Sequence, residues 1–169
     1  MKITETDRLG IRRMSVDDCD FMLELLTDSA WLQFIGDSGA RTLDDARKYI
    51  SEKVVAMYQR LGFGLYLVEL KSRAVPIGIC GLIKRDSLED VDIGFAFLPE
   101  YRGSGYAFES SAAVLEYGRT ILGLNRIVAI TFTDNDRSVG LLQRLGFTHE
   151  RMINLSNGDR EEMLFALDF

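Results

Sequence analysis

Histidine is almost missing from this chain of 169 residues, with His149 the single instance. A two-histidine zinc site therefore cannot be assembled, and a Ser-His-Asp triad would have only one candidate base. The two cysteines, Cys19 and Cys80, are too few and too far apart for a metal or redox motif. Both are expected as buried thiols, and no metal is expected. With two prolines and no low-complexity tract there is no candidate linker, so residues 1–169 are expected to form a single domain. No apolar run approaches the roughly eighteen residues of a membrane span, and Met1-Lys2-Ile3-Thr4-Glu5 lacks the apolar core of a signal peptide. A cytoplasmic location without membrane association is the expectation. Positive charge is in deficit, with 20 Lys and Arg against 26 Asp and Glu for a net charge of −6. No basic cluster interrupts that balance, which argues against nucleic-acid partners.

What is present is apolar mass, 47% of residues, enough for one core. Arg8 to Met14 has the pattern of a strand. Ser15-Val16-Asp17-Asp18 supplies a helix start before Phe21, Met22, Leu25 and Leu26, and Thr42-Leu43-Asp44-Asp45 does the same before Ala46, Tyr49, Ile50, Val54 and Met57. Gly64 to Leu70 and Pro76 to Ile83 predict two strands joined by Lys71-Ser72-Arg73, and Asp90 to Leu98 predicts a third. A helix follows with Phe108, Ala112, Leu115 and Leu122 expected on its core face and Gly123 at its end. Arg126 to Phe132 predicts another strand. Asn135 can cap a helix that buries Leu141, Leu142 and Leu145 and stops at Gly146, and two strands flank a tight hairpin at Ser156-Asn157-Gly158-Asp159. The sum is an α/β (α+β) domain with a mixed, mostly antiparallel central sheet flanked by helices.

The segment that points to chemistry is Pro99-Glu100-Tyr101-Arg102-Gly103-Ser104-Gly105-Tyr106-Ala107, between a strand and a helix. Helix amino termini carry unpaired amides and a positive dipole end, and glycines let an anion approach the backbone. Such a turn can hold a pyrophosphate, or its glycines can simply shape the turn. Phe108 stands where a dinucleotide fingerprint needs its third Gly, and no Gly-Lys-Ser/Thr occurs, so both common phosphate motifs are excluded.

Arg102, Gly105 and Ala107 match the pyrophosphate loop Arg/Gln-x-x-Gly-x-Gly/Ala, and the chain here resembles the GNAT superfamily of acyl-CoA N-acyltransferases. The likeness continues in Asn135-Asp136-Arg137-Ser138, Leu141, Arg144 and Leu145-Gly146-Phe147. Upstream, Thr6-Asp7-Arg8-Leu9-Gly10-Ile11-Arg12 resembles the opening strand of the Rim-type ribosomal-protein N-terminal acetyltransferases. The resemblance implies acetyl-CoA as cosubstrate, bound by Arg102, Gly103, Ser104, Gly105, Tyr106 and Ala107. It also implies pantetheine pairing with the backbone of Phe95, Ala96 and Phe97, and with Asn135, which would look the same as a helix cap. A bulge at Gly94 is expected to splay this strand from its neighbour, in line with a Gly inside a strand.

Acyl transfer needs a neutral amine, a donor to the developing oxyanion and a proton for the leaving thiolate. Leu142 occupies the position where many family members carry a Tyr, and Ile130 that of a Glu found in some. Ser138, shared with the Rim-type branch, is the candidate donor to the sulfur, or else a small residue of the first helical turn. Asp92, two residues before Gly94 and so on its face, is the candidate proton relay, or else a surface carboxylate. Trp31 to Ala40 forms the acceptor floor or a plain connection, and His149 is expected on the surface. The acceptor is an amine, expected to be a protein or peptide α-amine. A small-molecule amine, a coenzyme A-binding sensor without chemistry, and a homodimer are left open.

Overall fold

The computed structural model describes residues 1–155 and 158–169. Eight strands, β1 (Lys2–Glu5), β2 (Leu9–Arg13), β3 (Leu65–Leu70), β4 (Val75–Ile83), β5 (Asp92–Phe97), β6 (Arg126–Phe132), β7 (Thr148–Ile153) and β8 (Glu162–Asp168), form one sheet. Their order is β1-β2-β3-β4-β5-β6-β8-β7, and every pairing is antiparallel except β5 with β6. The helices are α1 (Cys19–Leu26), α2 (Ser29–Phe34), α3 (Leu43–Tyr49), α4 (Ala56–Leu61), α5 (Tyr106–Thr120) and α6 (Asp136–Arg144). A π-helical stretch, Ile50–Val55, joins α3 to α4.

The local signals act as chemistry demands. Thr42 accepts from the Asp45 amide while Asp45 accepts from the Thr42 amide, closing a capping box on α3. Asn135 caps α6 by accepting from the Ser138 amide at 3.3 Å. Two elements escape the sequence pattern. β1 is four residues of Lys-Ile-Thr-Glu, too short and polar to show a face, and α2 spans only six residues behind its Asp28 cap. Ser156 and Asn157 of the expected hairpin lie outside the described residues.

The core face of α5 departs from expectation. Phe108 is exposed and Ala112 faces solvent, while Ser110, Ser111, Val114, Leu115 and Gly118 are buried. A Cβ on Gly118 would stand 3.1 Å from both Leu82 and Ile127, and the Ser111 hydroxyl lies 3.6 Å from the Cys80 sulfur. The helix packs so closely on β4 and β6 that small residues, not large apolar ones, fill the contact. Both cysteines are buried and free.

These contacts place α5 over the face of the sheet carrying Cys80, Leu82 and Ile127. Strand alternation then assigns the two faces. Gly94 and Asp92 pair with Gly81 and Ile83, so both project from the face opposite α5. The bridge from Asp92 to Val128 puts Val128, Ile130 and Phe132 on that same opposite face, and Ala129 and Thr131 on the α5 side.

Candidate active site

β5 and β6 pair at one position only, Asp92 with Val128, where the Val128 amide donates to the Val91 carbonyl at 2.9 Å. Beyond it no further pairing joins the two strands, and a cleft of about 1830 Å³ opens between and around them. The expected splay is therefore present, but not by the expected device. β5 runs beside β4 through Gly94 with no register shift, so Gly94 is not a bulge in that ladder. What Gly94 provides is room, since a Cβ there would come within 3.0 Å of Ile83.

Alternation along β5 settles which backbone groups face the opening. The Val91 carbonyl points to β6, so Phe95 and Phe97 do too, whereas Ala96 turns its polar groups to β4. Consistently, the Ala96 oxygen lies 2.7 Å from where Gly78 would carry a Cβ on β4. The Phe97 carbonyl accepts from Arg102 Nε at 3.0 Å. Of the three residues expected to pair with pantetheine, Phe95 alone therefore presents both an amide and a carbonyl to the cleft without a competing protein partner of this kind.

The Arg102 guanidinium does not point at the turn's amides. It spans the Phe97 carbonyl and Asp28, which accepts from Nη2 at 2.7 Å while also capping α2. Arg102 thus fastens the turn to the end of β5 and to α2. On the other side, Arg8 donates to the Ser104 carbonyl at 2.9 Å, stacks over Tyr106 at 4.4 Å and pairs with Glu109 at 2.6 Å, which Thr6 also engages. Burial pulls the Glu109 carboxyl upward, but the hydrogen bonds from Thr6 and Arg8 outweigh it and hold the pKa below the ordinary value. The Thr6-Asp7-Arg8 segment therefore acts at long range, bracing the turn from the first strands.

Held at both ends, the turn runs with φ of 79° at Gly103 and 83° at Gly105, a region glycine enters without strain. Gly105 is the N-cap of α5 and no side chain caps that end. A Cβ on Gly103 would meet nothing within 4 Å, and one on Gly105 only the Arg8 guanidinium at 3.3 Å. The turn is an open cradle of amides above a positive helix end, which fits a diphosphate.

Asp92 is 2% exposed and lines the cleft on the face opposite α5. Burial raises its pKa, and Arg85, with Nε 3.2 Å from both carboxylate oxygens, opposes the rise without cancelling it. Tyr49, Trp31 and Phe34 line the same cleft, so part of the Trp31 to Ala40 segment belongs to the cleft wall, with Trp31 itself buried. Ser138 lines the cleft from the first turn of α6. Leu142 is buried in the core, His149 is exposed beside Phe165, and neither brings an acid or base to the site. Among the described residues, no group of three or more His, Cys, Asp or Glu is placed to hold a metal ion. No helix among them is long and apolar enough to cross a membrane.

The family model of the acetyltransferase (GNAT) domain matches residues 8–148, which spans Arg8, the turn, the splay and α6. The chain belongs to the GNAT acetyltransferase family. It is an acetyl-CoA-dependent N-acetyltransferase. An uncharacterized N-acetyltransferase of Bacillus subtilis, YoaA, is 29% identical over 89% of this chain and 85% of its own length. A GNAT-family acetyltransferase structure from Bacillus anthracis superposes with a TM-score of 0.82 at 26% identity, covering 99% of this chain and 98% of that one. The ribosomal L7/L12 α-N-protein acetyltransferase RimL, solved in complex with coenzyme A, has the same fold with a TM-score of 0.86. It is 20% identical, with 100% of this chain and 98% of RimL covered. In this GNAT enzyme the residues that sequence reasoning missed are Arg85, Asp28 and Glu109, which meet their partners only in the folded chain.

Proposed function

We propose that this acetyltransferase acts on α-amines at protein or peptide amino termini, using Asp92 to take the proton that the neutral amine sheds as it attacks the thioester and Ser138 to hydrogen-bond the departing sulfur. The observation that carries the proposal is the arrangement of the two faces. The amide cradle of Gly103 to Ala107, with Phe95 along the splay, lies toward α5, while Asp92 projects from the opposite face at the apex of the same opening. An amine arriving on the Asp92 side would meet a thioester held in the splay, with no covalent enzyme intermediate required. The chain's own part is to bind, to orient, to accept one proton at Asp92 and to hold the leaving sulfur by a hydrogen bond at Ser138.

The inventory of bases favours an α-amine. With Leu142 and Ile130 at the positions where relatives carry Tyr or Glu, the described part of the site has no imidazole and two buried carboxylates, Asp92 at the apex of the splay and Glu162, which accepts from the Leu155 amide. An α-amine has a pKa near 8 and is roughly a quarter neutral near pH 7.4, whereas a lysine amine near 10.4 is about one part in a thousand neutral. The match in fold to RimL, which acts on the α-amine of a ribosomal protein, supports the same class. Acetylation of an Ala- or Ser-starting peptide is expected to exceed that of the same peptide with a blocked amino terminus and a free lysine. Preference for the lysine would overturn the assignment. Ser138→Ala is expected to lower kcat about ten-fold with acetyl-CoA still bound, and an unchanged kcat would remove the hydroxyl from the mechanism.

A further inference from the structure

Among the described residues, three buried side-chain polar atoms have no hydrogen-bond partner: Arg13 Nε, Tyr66 Oη and Thr131 Oγ1. Only Thr131 lines the cleft. It is 6% exposed, so water in bulk does not reach the hydroxyl, and leaving such a group unpaired costs free energy comparable to a lost hydrogen bond. A threonine at a buried strand position could be replaced by valine at no loss of shape, which makes an orphaned hydroxyl there a feature that asks for a partner.

The position narrows the partner. Thr131 lies three residues beyond Val128, the sole bridge between β5 and β6, and so stands in the parted section of β6. It shares a face with Ile127 and Ala129, the α5 side, where the amide cradle and the cap of α6 also lie. Ile130, on the other face, packs instead with Val128 and Leu164 beneath the acceptor side. The Thr131 side chain thus lies on the half of the cleft assigned above to the acyl-CoA arm, not the half assigned to the amine.

We infer that Thr131 is a coenzyme-positioning residue, whose hydroxyl donates a hydrogen bond to a carbonyl of bound acyl-CoA, either an amide of its arm or the thioester. The inference rests on the acetyl-CoA cleft proposed above. Binding would then satisfy a donor that the free protein leaves unpaired, so that part of the affinity comes from relief of a cost already present in the fold.

Thr131→Val separates this role from a structural one, because the two readouts move in opposite directions. The free variant is expected to melt at or above the wild-type temperature, while calorimetric affinity for acetyl-CoA falls about five-fold. Thr131→Ser is expected to retain wild-type affinity. Titration with coenzyme A beside acetyl-CoA locates the acceptor: an equal loss for both assigns the arm amide, and a loss confined to acetyl-CoA assigns the thioester carbonyl. Wild-type affinity in Thr131→Val, or a lower melting temperature of the free variant, would overturn the inference alone. A wild-type protein that binds neither nucleotide would overturn the cleft assignment itself, and this inference with it.

Discussion

Gly105→Glu is expected to weaken acetyl-CoA binding by at least about two orders of magnitude, and calorimetric titration of the purified variant measures it. Two effects add. Gly105 sits at φ 83°, where a residue with a Cβ loses roughly 1–2 kcal/mol, and the new Cβ would press on the Arg8 guanidinium at 3.3 Å. The carboxylate would then occupy the positive end of α5 itself, worth up to about 2 kcal/mol, and repel a diphosphate seeking the same amides. Together these reach about 3 kcal/mol, and each 1.4 kcal/mol is about ten-fold in affinity. Gly105→Ala isolates the first effect and is expected to lose about ten-fold. Unchanged affinity in the Glu variant would remove the turn from the site, because no diphosphate could lie on amides that already face a carboxylate.

Asp92→Asn is expected to lower kcat about 100-fold while acetyl-CoA affinity stays within a factor of about two, since loss of a positioned base costs on the order of 10²-fold. Stability should move the other way. Burial raises the carboxyl pKa in the folded protein, so the ionised group opposes folding above its unfolded pKa of about 3.9 and ceases to oppose it below. The variant should therefore melt at or above wild type near pH 7, with the gap closing as pH falls through the raised pKa toward about 4. Arg85 is not stranded by the change, because its side chain is 46% exposed and remains hydrated. Thermal melts across that pH interval, beside steady-state kinetics, check both parts. A variant that melts lower near neutral pH with its kcat intact would make Asp92 an anchor for Arg85 instead of a base.

The opposite signs of these effects explain why a buried carboxylate is retained at the apex of the splay. A group kept partly short of its preferred ionisation state by burial is a better proton acceptor than a hydrated surface carboxylate, and the cost appears as lost stability. Arg85 moderates that cost. Its position beside Asp92, seven residues away across the β4–β5 connection, could not be foreseen from spacing, since the two residues meet only when β4 and β5 pair.

Much of the local architecture around the cleft was legible in the residues alone. The Arg102 to Ala107 turn, the Asn135 cap and the strand–helix alternation are local, depending on which residues tolerate positive φ, which side chains cap helices, and where apolar residues recur. The core face of α5 was misjudged because the hydrophobic pattern assumes that large side chains mark the contact. Here the approach to β4 is so close that Ser111 and Gly118 fill it, leaving Phe108 at the mouth of the cleft under Arg144. Arg102 likewise belongs to a phosphate-loop motif yet spends its guanidinium on Phe97 and Asp28.

The amino-acid sequence alone determined the glycine turn, the capped helices and the family, because each depends on residues near one another in the chain. Only the tertiary structure decided that Asp92 and the amide cradle lie on opposite faces, that the strands part after one bridge, that Arg8 and Glu109 brace the turn from 101 residues apart, and that Thr131 is left without a partner. The physical reason is common to all four: sheet pairing and strand alternation convert distant positions into shared faces, and no local pattern carries the register that sets them.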